Sequence, residues 1–371
     1  MSLRLGVLGL GTAGAAMLSV ARRRPDLSVT ALADVAIGSL QVLPLAGIRQ
    51  YSSLEAMLAD GRVDAVHIAT PTPMHLEHVT QALAAGLHVV VEKPVTCDSE
   101  SARRLAEAAD GSDRVVLVGH SESFEPYVAA ARRVIDEGEI GDPVMVVAEK
   151  FTDWMRRPRL SEEWEPAMGG GLIRRQGVHQ VDVVRTLVDR EFDVRVARTR
   201  VDPERGAVGS YCAWLSSSGA TEAFIAHDGI GRLSGGGLSG GGPRAAAGSD
   251  DREEVQKQLR SRRLLARALQ EGEPLELGGG DAGRVLVLGT GGEVTASGGR
   301  VEVTGDGGRR AVALDGFASG RDAVLDELLA AISGERPVRH GLAWGAENLR
   351  ICEEIEQVAA ANRPIEMKGA R

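Results

Sequence analysis

Six mostly apolar residues, Leu3 to Leu8, run straight into Gly9-Leu10-Gly11-Thr12-Ala13-Gly14, and a helix-favouring stretch, Ala13 to Arg23, follows at once. A strand that turns on glycine into a helix is the opening of a βαβ unit. The first glycine permits the tight turn, the second lets a pyrophosphate approach the backbone, and the third lets helix and strand pack closely. Free amides at the helix N-terminus, with Thr12 and Ala13 in its first turn, then meet the diphosphate at the favourable end of the helix dipole. Asp34 ends the next predicted strand, about 20 residues beyond Gly14, where a carboxylate accepts from adenosine ribose hydroxyls and repels a 2′-phosphate. The pattern predicts NAD, in preference to NADP, on Gly9, Gly11, Thr12, Ala13, Gly14 and Asp34.

The alternation continues to about Val118. Short β-branched runs at Val29 to Ala33, Ala65 to Ile68, His88 to Val91 and Val115 to Val118 are separated by helical patterns at Leu54 to Ala59, His75 to Ala85 and Ser99 to Ala109. That order implies an N-terminal doubly wound parallel sheet of Rossmann type, with its ligand crevice at the carboxyl ends of the strands. After a helix at Pro126 to Glu137, longer strands such as Val144 to Phe151, Tyr211 to Leu215 and Arg284 to Leu288 are set between Gly-rich turns. They predict a C-terminal α+β domain on a mainly antiparallel open sheet. A chain of 371 residues exceeds the ~250 to 300 at which single cores stop growing, and the change of character divides it at residues 1–121 and 122–371. Within the second part, Gly235 to Gly248 reads as a mobile loop, Asp250 to Leu269 as a charged helix, and Arg321 to Ile332 and Trp344 to Ala361 as closing helices.

Charge and cysteines exclude several classes. With 43 Lys+Arg against 52 Asp+Glu, the net −9 is the wrong sign for a protein that coats itself on nucleic acid. Cys97, Cys212 and Cys352 lie far apart, in no disulfide framework or metal-ligand spacing, and suit a reducing cytoplasm. The apolar run Leu5 to Val20 is punctuated by Gly6, Gly9, Gly11 and Gly14 and falls short of the ~20 residues of a membrane span, so neither leader nor membrane segment is expected there.

Chemistry enters at Glu92-Lys93-Pro94, which topology places on the same sheet edge as the glycine loop. Proline fixes the backbone after the lysine and so aims one side chain, although a lone lysine in a βα loop is ordinarily surface. It is accompanied by Ile68-Ala69-Thr70-Pro71, then His75, and later by Gly169-Gly170-Gly171 and Gly177-Val178-His179-Gln180-Val181-Asp182. In motif order and spacing, over nearly the whole chain, this resembles the Gfo/Idh/MocA oxidoreductase family. The resemblance implies Lys93 and His179 as the catalytic pair working on the substrate oxygen and its proton. It also implies a cofactor edge formed by Ala69, Thr70, Pro71, His75, Glu92 and Lys93, and no metal.

One departure is informative. Most members of that family carry an aspartate four residues before the histidine, and this chain has Arg175. With Trp154-Met155-Arg156-Arg157-Pro158-Arg159 and Gly119-His120-Ser121, that change is similar to the phthalate 4,5-cis-dihydrodiol dehydrogenase branch, and it leaves His179 without its acid. Arg175 is expected one helical turn from His179 on a shared face, where a guanidinium holds a carboxylate by two parallel hydrogen bonds; Arg157 and Arg159 offer a second clamp. The expectation is NAD+-linked oxidation of a secondary alcohol on a small, anionic ring, with Lys93, Arg157, Arg175 and His179 on the substrate. A sugar, inositol or sugar-acid dehydrogenase and a non-catalytic dinucleotide sensor are the rival readings. The open sheet suggests a homo-oligomer, dimer or tetramer.

Overall fold

A computed structural model of the chain describes residues 2–39, 47–230, 250–269, 282–316 and 318–362. Among the described residues, β1 (Leu3–Leu8), β2 (Leu27–Ala33), β3 (Arg49–Tyr51), β4 (Ala65–Ile68), β5 (His88–Val91) and β6 (Val116–Val118) form one sheet in the order β3-β2-β1-β4-β5-β6, all parallel. Every residue of β4, β5 and β6 is buried. Such continuous apolar runs suit strands covered on both faces, as in a doubly wound sheet. The crossover elements are α1 (Thr12–Ala21), α2 (Leu54–Asp60), α3 (His75–Ala84) and α4 (Ser99–Ala109). From β1 the order runs outward to β2 and β3, then returns to β4, so the carboxyl ends of β1 and β4 flank the switch point where such sheets take their ligand.

After α5 (Pro126–Asp136) comes β7 (Pro143–Phe151), then α6 (Val178–Val188), β8 (Asp193–Asp202), β9 (Ala207–Ser216) and β10 (Glu222–Asp228). Next are α7 (Asp250–Leu269), β11 (Ala282–Gly289), β12 (Glu293–Ser297), β13 (Arg300–Gly305) and β14 (Gly308–Val312), and α8 (Gly320–Ile332) and α9 (Leu342–Ala361) follow. The second sheet runs β14-β13-β12-β11-β7-β10-β9-β8, antiparallel except for the β7–β10 pair. Alternate residues point to one covered face: Val146 and Ala148 on β7, Ala213 and Leu215 on β9, and Ala223 and Ile225 on β10 join a core with Val181, Val184, Ile351 and Ile355 of α6 and α9. The opposite face leaves Val196 and Trp214 exposed.

Three later helices pack on the first sheet and its helices, and α9 also joins the second core. Leu325 and Leu328 of α8 pack with Leu5 and Met17, and Leu342 and Ala346 of α9 with Val118. Leu265 and Ala268 of α7 lie on Leu10, Ala15 and Leu18 around α1, where Arg22 donates to the carbonyls of Ala268 (3.0 Å) and Leu269 (2.6 Å). No described helix is long and apolar enough to cross a membrane. The Gly235 to Gly248 stretch lies outside the described residues.

Residues Ile173–Gly177, expected to be α-helical with α6, form a π-helical turn ahead of Val178.

Candidate active site

The glycine loop meets each steric demand of its pattern. Gly9 sits at φ +85, and a Cβ there would stand 2.6 Å from the carbonyl oxygen of Ala69. A Cβ on Gly14 would meet Gly9 O at 1.9 Å, so only glycine lets α1 rise this close to β1. Beside Gly11 there is open space, with nothing within 4 Å of an added Cβ. The N-cap of α1 makes no side-chain hydrogen bond, which leaves the first-turn amides to a ligand. Asp34 accepts from the amides of Leu10 (2.7 Å) and Ala36 (2.8 Å), so it braces the loop and keeps carboxylate lone pairs for a ribose. These residues fit a dinucleotide, which when bound supplies the hydride acceptor.

The second edge of the crevice is held by His75. Its Nε2 lies 2.8 Å from Thr70 O and its Nδ1 2.9 Å from Pro94 O, and the ring is buried. His75 therefore spans the turn of Ala69, Thr70 and Pro71 and the Lys93 loop, and both of its nitrogens are used within the protein. Glu92 turns inward, its carboxylate 3.5 Å from His67 Nε2. Burial alone would raise its pKa, but His67, Arg321 and Lys93 outweigh that and hold it down at about 2. Lys93 turns the other way: Nζ donates to the carbonyl of Arg175 at 2.9 Å. Burial, then the Arg175 guanidinium, push this ammonium down to about 7 against the pull of Glu92 and Glu122.

Facing Lys93 is one rung of the second sheet. The registers Tyr211↔His227 and His227↔Lys150 line up three polar side chains in phase with the apolar residues of β9, β10 and β7. Lys150 donates to Glu122 Oε1, on the turn after β6. Gln180 ties α6 to this sheet end, donating to Ala148 O (3.0 Å) and Ala226 O (2.9 Å) and accepting from the Tyr211 hydroxyl (2.6 Å). That anchoring turns His179 toward Glu122, with Nδ1 3.7 Å from Oε1. Burial, with the ammonium groups of Lys93 and Lys150, holds the His179 pKa well below its ordinary range and keeps the ring neutral near pH 7. Behind it, Asp182 accepts from Trp344 Nε1 (2.6 Å) and Asn348 Nδ2 (3.0 Å) and is buried.

Arg175 departs from expectation. Arg175 and His179 reach different carboxylates: Arg175 Nη2 pairs with Glu163 Oε1 at 2.9 Å, whereas His179 faces Glu122. Glu163 also receives Lys257 of α7 and has Arg159 at 3.6 Å. Burial would raise the Glu163 pKa, and these three cations bring it down to about 2. Arg205 pairs with Glu253 at 2.6 Å alongside, and Glu253 also accepts from the Arg159 amide. Four cations thus face two carboxylates in this cluster. Arg157 is engaged by Asp153.

Glu122, Lys150, Glu163, Lys257 and Arg321 were not identified from the sequence. For Lys150 and His227 a signal was present: each continues the buried, alternate-residue phase of an apolar strand. The others meet their partners only through the tertiary fold.

Comparison with known proteins is consistent with this geometry. Residues 3–120 match the family model described as an oxidoreductase family with an NAD-binding Rossmann fold, and residues 128–226 match the GFO/IDH/MocA C-terminal domain. The chain is 28% identical, over 94% of its length and 93% of the relative's, to 1-carboxy-3-chloro-3,4-dihydroxycyclohexa-1,5-diene dehydrogenase of Comamonas testosteroni. It is 28% identical over 57% of its length, and 63% of the relative's, to inositol 2-dehydrogenase of Rhizobium meliloti. A solved protein of Bordetella bronchiseptica RB50 superposes with a TM-score of 0.80 at 28% identity, covering 98% of this chain and 99% of that one. An oxidoreductase of Agrobacterium radiobacter, solved with NAD+, L-tartaric acid and magnesium, shares the fold at a TM-score of 0.74 and 18% identity, with 98% of each chain covered.

Proposed function

Because the chain belongs to the Gfo/Idh/MocA family of NAD-dependent oxidoreductases, we propose that it oxidises a secondary alcohol on a small carboxylated ring, of the cis-dihydrodiol kind. Residues 1–121 form the cofactor domain in this reading and residues 122–371 the substrate domain. The observation that carries it is Lys93: a half-buried amine at the mouth of the dinucleotide crevice, with a pKa brought to about 7. Half of it is then neutral at the pH where it must accept a proton. With NAD+ bound as the hydride acceptor, Lys93 would take the hydroxyl proton and neutral His179 would orient the hydroxyl from the other side. Both electrons of the C–H bond leave with the hydride, the O–H proton goes to the amine, and a ketone remains.

The excess of Arg159, Arg175, Lys257 and Arg205 over Glu163 and Glu253 supports an anionic substrate. A carboxylate entering there competes with Glu163 for Arg175. The pairing of Arg175 with Glu163 favours a second reading, a neutral polyol such as an inositol, because the guanidinium already has its acid. A turnover screen with NAD+ over ring-carboxylated cis-dihydrodiols, sugar acids and inositols separates them, repeated with Arg175→Met. Compared on the alkaline plateau of each protein's rate profile, where the Lys93 amine is neutral in both, the substitution is expected to lower kcat/KM for a carboxylated substrate at least ~10-fold and to leave its decarboxylated analogue little changed, since a charge-assisted pair is worth ~1.5 to 3 kcal/mol. Equal losses on both would move the polyol reading ahead.

A further inference from the structure

We propose that Glu122 is the positioning acid of His179, replacing from another segment the carboxylate that residue 175 does not supply. The inference rests on the dehydrogenase reading of Lys93 and His179. The charged and titratable groups around His179 are Lys93 from the β5 loop, Lys150 from β7, His120 after β6, Arg321 from α8 and Glu122. Among the described residues, Glu122 is the only acid within 4.0 Å of the ring. The ring is 7% exposed and its Nδ1 is buried without a hydrogen-bond partner. A buried imidazole nitrogen facing a carboxylate oxygen carries the proton, because two lone pairs opposed at that distance repel. The tautomer is thereby set: Nδ1–H toward Glu122, and Nε2 with its lone pair for a substrate hydroxyl.

Lys150 fixes the arrangement. It donates to the same Oε1 that faces His179, so the carboxylate is held in place. The 3.7 Å separation is longer than a hydrogen bond, as such contacts often are before the ligands close the site. Glu122 is 28% exposed at its side chain, so it is reached from the crevice rather than sealed behind it.

The test is made on the full-length enzyme with NAD+ present, labelled with 15N-histidine, and His179 is assigned by its loss in His179→Gln. Long-range proton–nitrogen correlation spectra at neutral pH report which ring nitrogen is protonated. The expectation is a predominant Nδ1–H form in the parent enzyme and a shift of the tautomer ratio toward Nε2–H by at least ~10-fold in Glu122→Leu, one decade of equilibrium constant. Glu122→Gln, isosteric and able to accept through its amide oxygen, should fall between and guards against a variant that does not fold. An Nε2–H form in the parent enzyme, or a ratio unmoved in both variants, would overturn the proposal. Turnover of a ring-carboxylated cis-dihydrodiol adds the functional arm: kcat is expected to fall ~10- to 100-fold in Glu122→Leu with the KM for NAD+ unchanged, below the full range for losing a proton-transfer group. If the tautomer shifts and kcat does not, Glu122 is not a positioning residue. If instead Lys93→Ala leaves turnover intact, the reading of the site fails while the tautomer result stands.

Discussion

Replacing Lys93 by arginine keeps a cation at the crevice and removes the base. With the pKa at about 7, the amine is about one tenth neutral at pH 6, half at pH 7 and nine tenths at pH 8, whereas an ordinary lysine at 10.5 is neutral in only about one molecule in 3,000 at pH 7. Burial and the Arg175 guanidinium therefore raise the population of base roughly a thousandfold. The neutral form is the competent one for alcohol oxidation, so kcat/KM, which reports the free enzyme, should rise about tenfold per unit below pH 7 and level off above it; in ketone reduction the protonated form is required and the dependence inverts. Initial rates of NADH formation from a ring-carboxylated cis-dihydrodiol, from pH 5.5 to about 9.5, give the profile. Lys93→Arg should lose ~100- to 10,000-fold in turnover while binding NADH normally. Arg175→Met, which removes the charge that lowers the amine's pKa, should move the acid limb to higher pH. A limb near 10 in the parent enzyme, or turnover surviving in Lys93→Arg, would refute the assignment of Lys93 as the base.

Further expectations concern the cofactor and the open sheet. Gly14→Ala places a Cβ 1.9 Å from Gly9 O and should lower both the Tm and NADH affinity, at a stability cost of ~1 to 3 kcal/mol, whereas Gly11→Ala, with open space around its Cβ, should keep the Tm and weaken NADH alone. Calorimetry with a fluorescence titration reads both; a normal Tm for Gly14→Ala contradicts the packing argument. Asp34→Asn should narrow the preference for NADH over NADPH, and equal binding of the two by the parent protein would show that Asp34 does not meet the ribose. If the face bearing Val196 and Trp214 is covered by a second copy, light scattering will give a multiple of 39.1 kDa, and Val196→Glu with Trp214→Glu will return the monomer mass.

What could be read in advance follows the range of the interactions concerned. β1, β4 and β5 have the bounds their sequences suggest, because short runs dominated by Leu, Val, Ile and Ala stand out from the turn and helix patterns on either side. The edge strand Arg49–Tyr51 has three residues, none buried, and left no pattern to find. The π turn at Ile173–Gly177 was missed because Arg174-Arg175-Gln176 is equally at home in an α-helix; the Cys97 carbonyl and the Glu353, Glu356 and Glu163 carboxylates that hold its arginines come from distant segments. The larger difference lies in the partner: the Arg175 guanidinium expected to await a substrate carboxylate is paired with Glu163. Motifs single out Lys93 and His179 as candidates, but say nothing of their surroundings. The Arg175 carbonyl under Lys93 is 82 residues away, Glu122 is 28 residues from Lys150, and Glu163 is 94 residues from Lys257.

α7 is pinned at two places that serve different ligands. At one end Arg22, just beyond the glycine-loop helix, grips its last carbonyls; at the other Lys257 and Glu253 enter the charge cluster around Arg159, Arg175 and Arg205. In the proposed reading, one rod therefore joins the cluster that meets the alcohol's charge to the helix that carries the glycine loop. Recharging Glu163 or Lys257 is then expected to change NADH affinity as well as substrate affinity, and by reciprocity of binding free energies bound NADH changes substrate affinity by the same factor. Attempts to tailor one pocket are best made away from this rod, on the Lys150, His227 and Tyr211 side, where contacts to α7 are absent from the described hydrogen bonds and ion pairs.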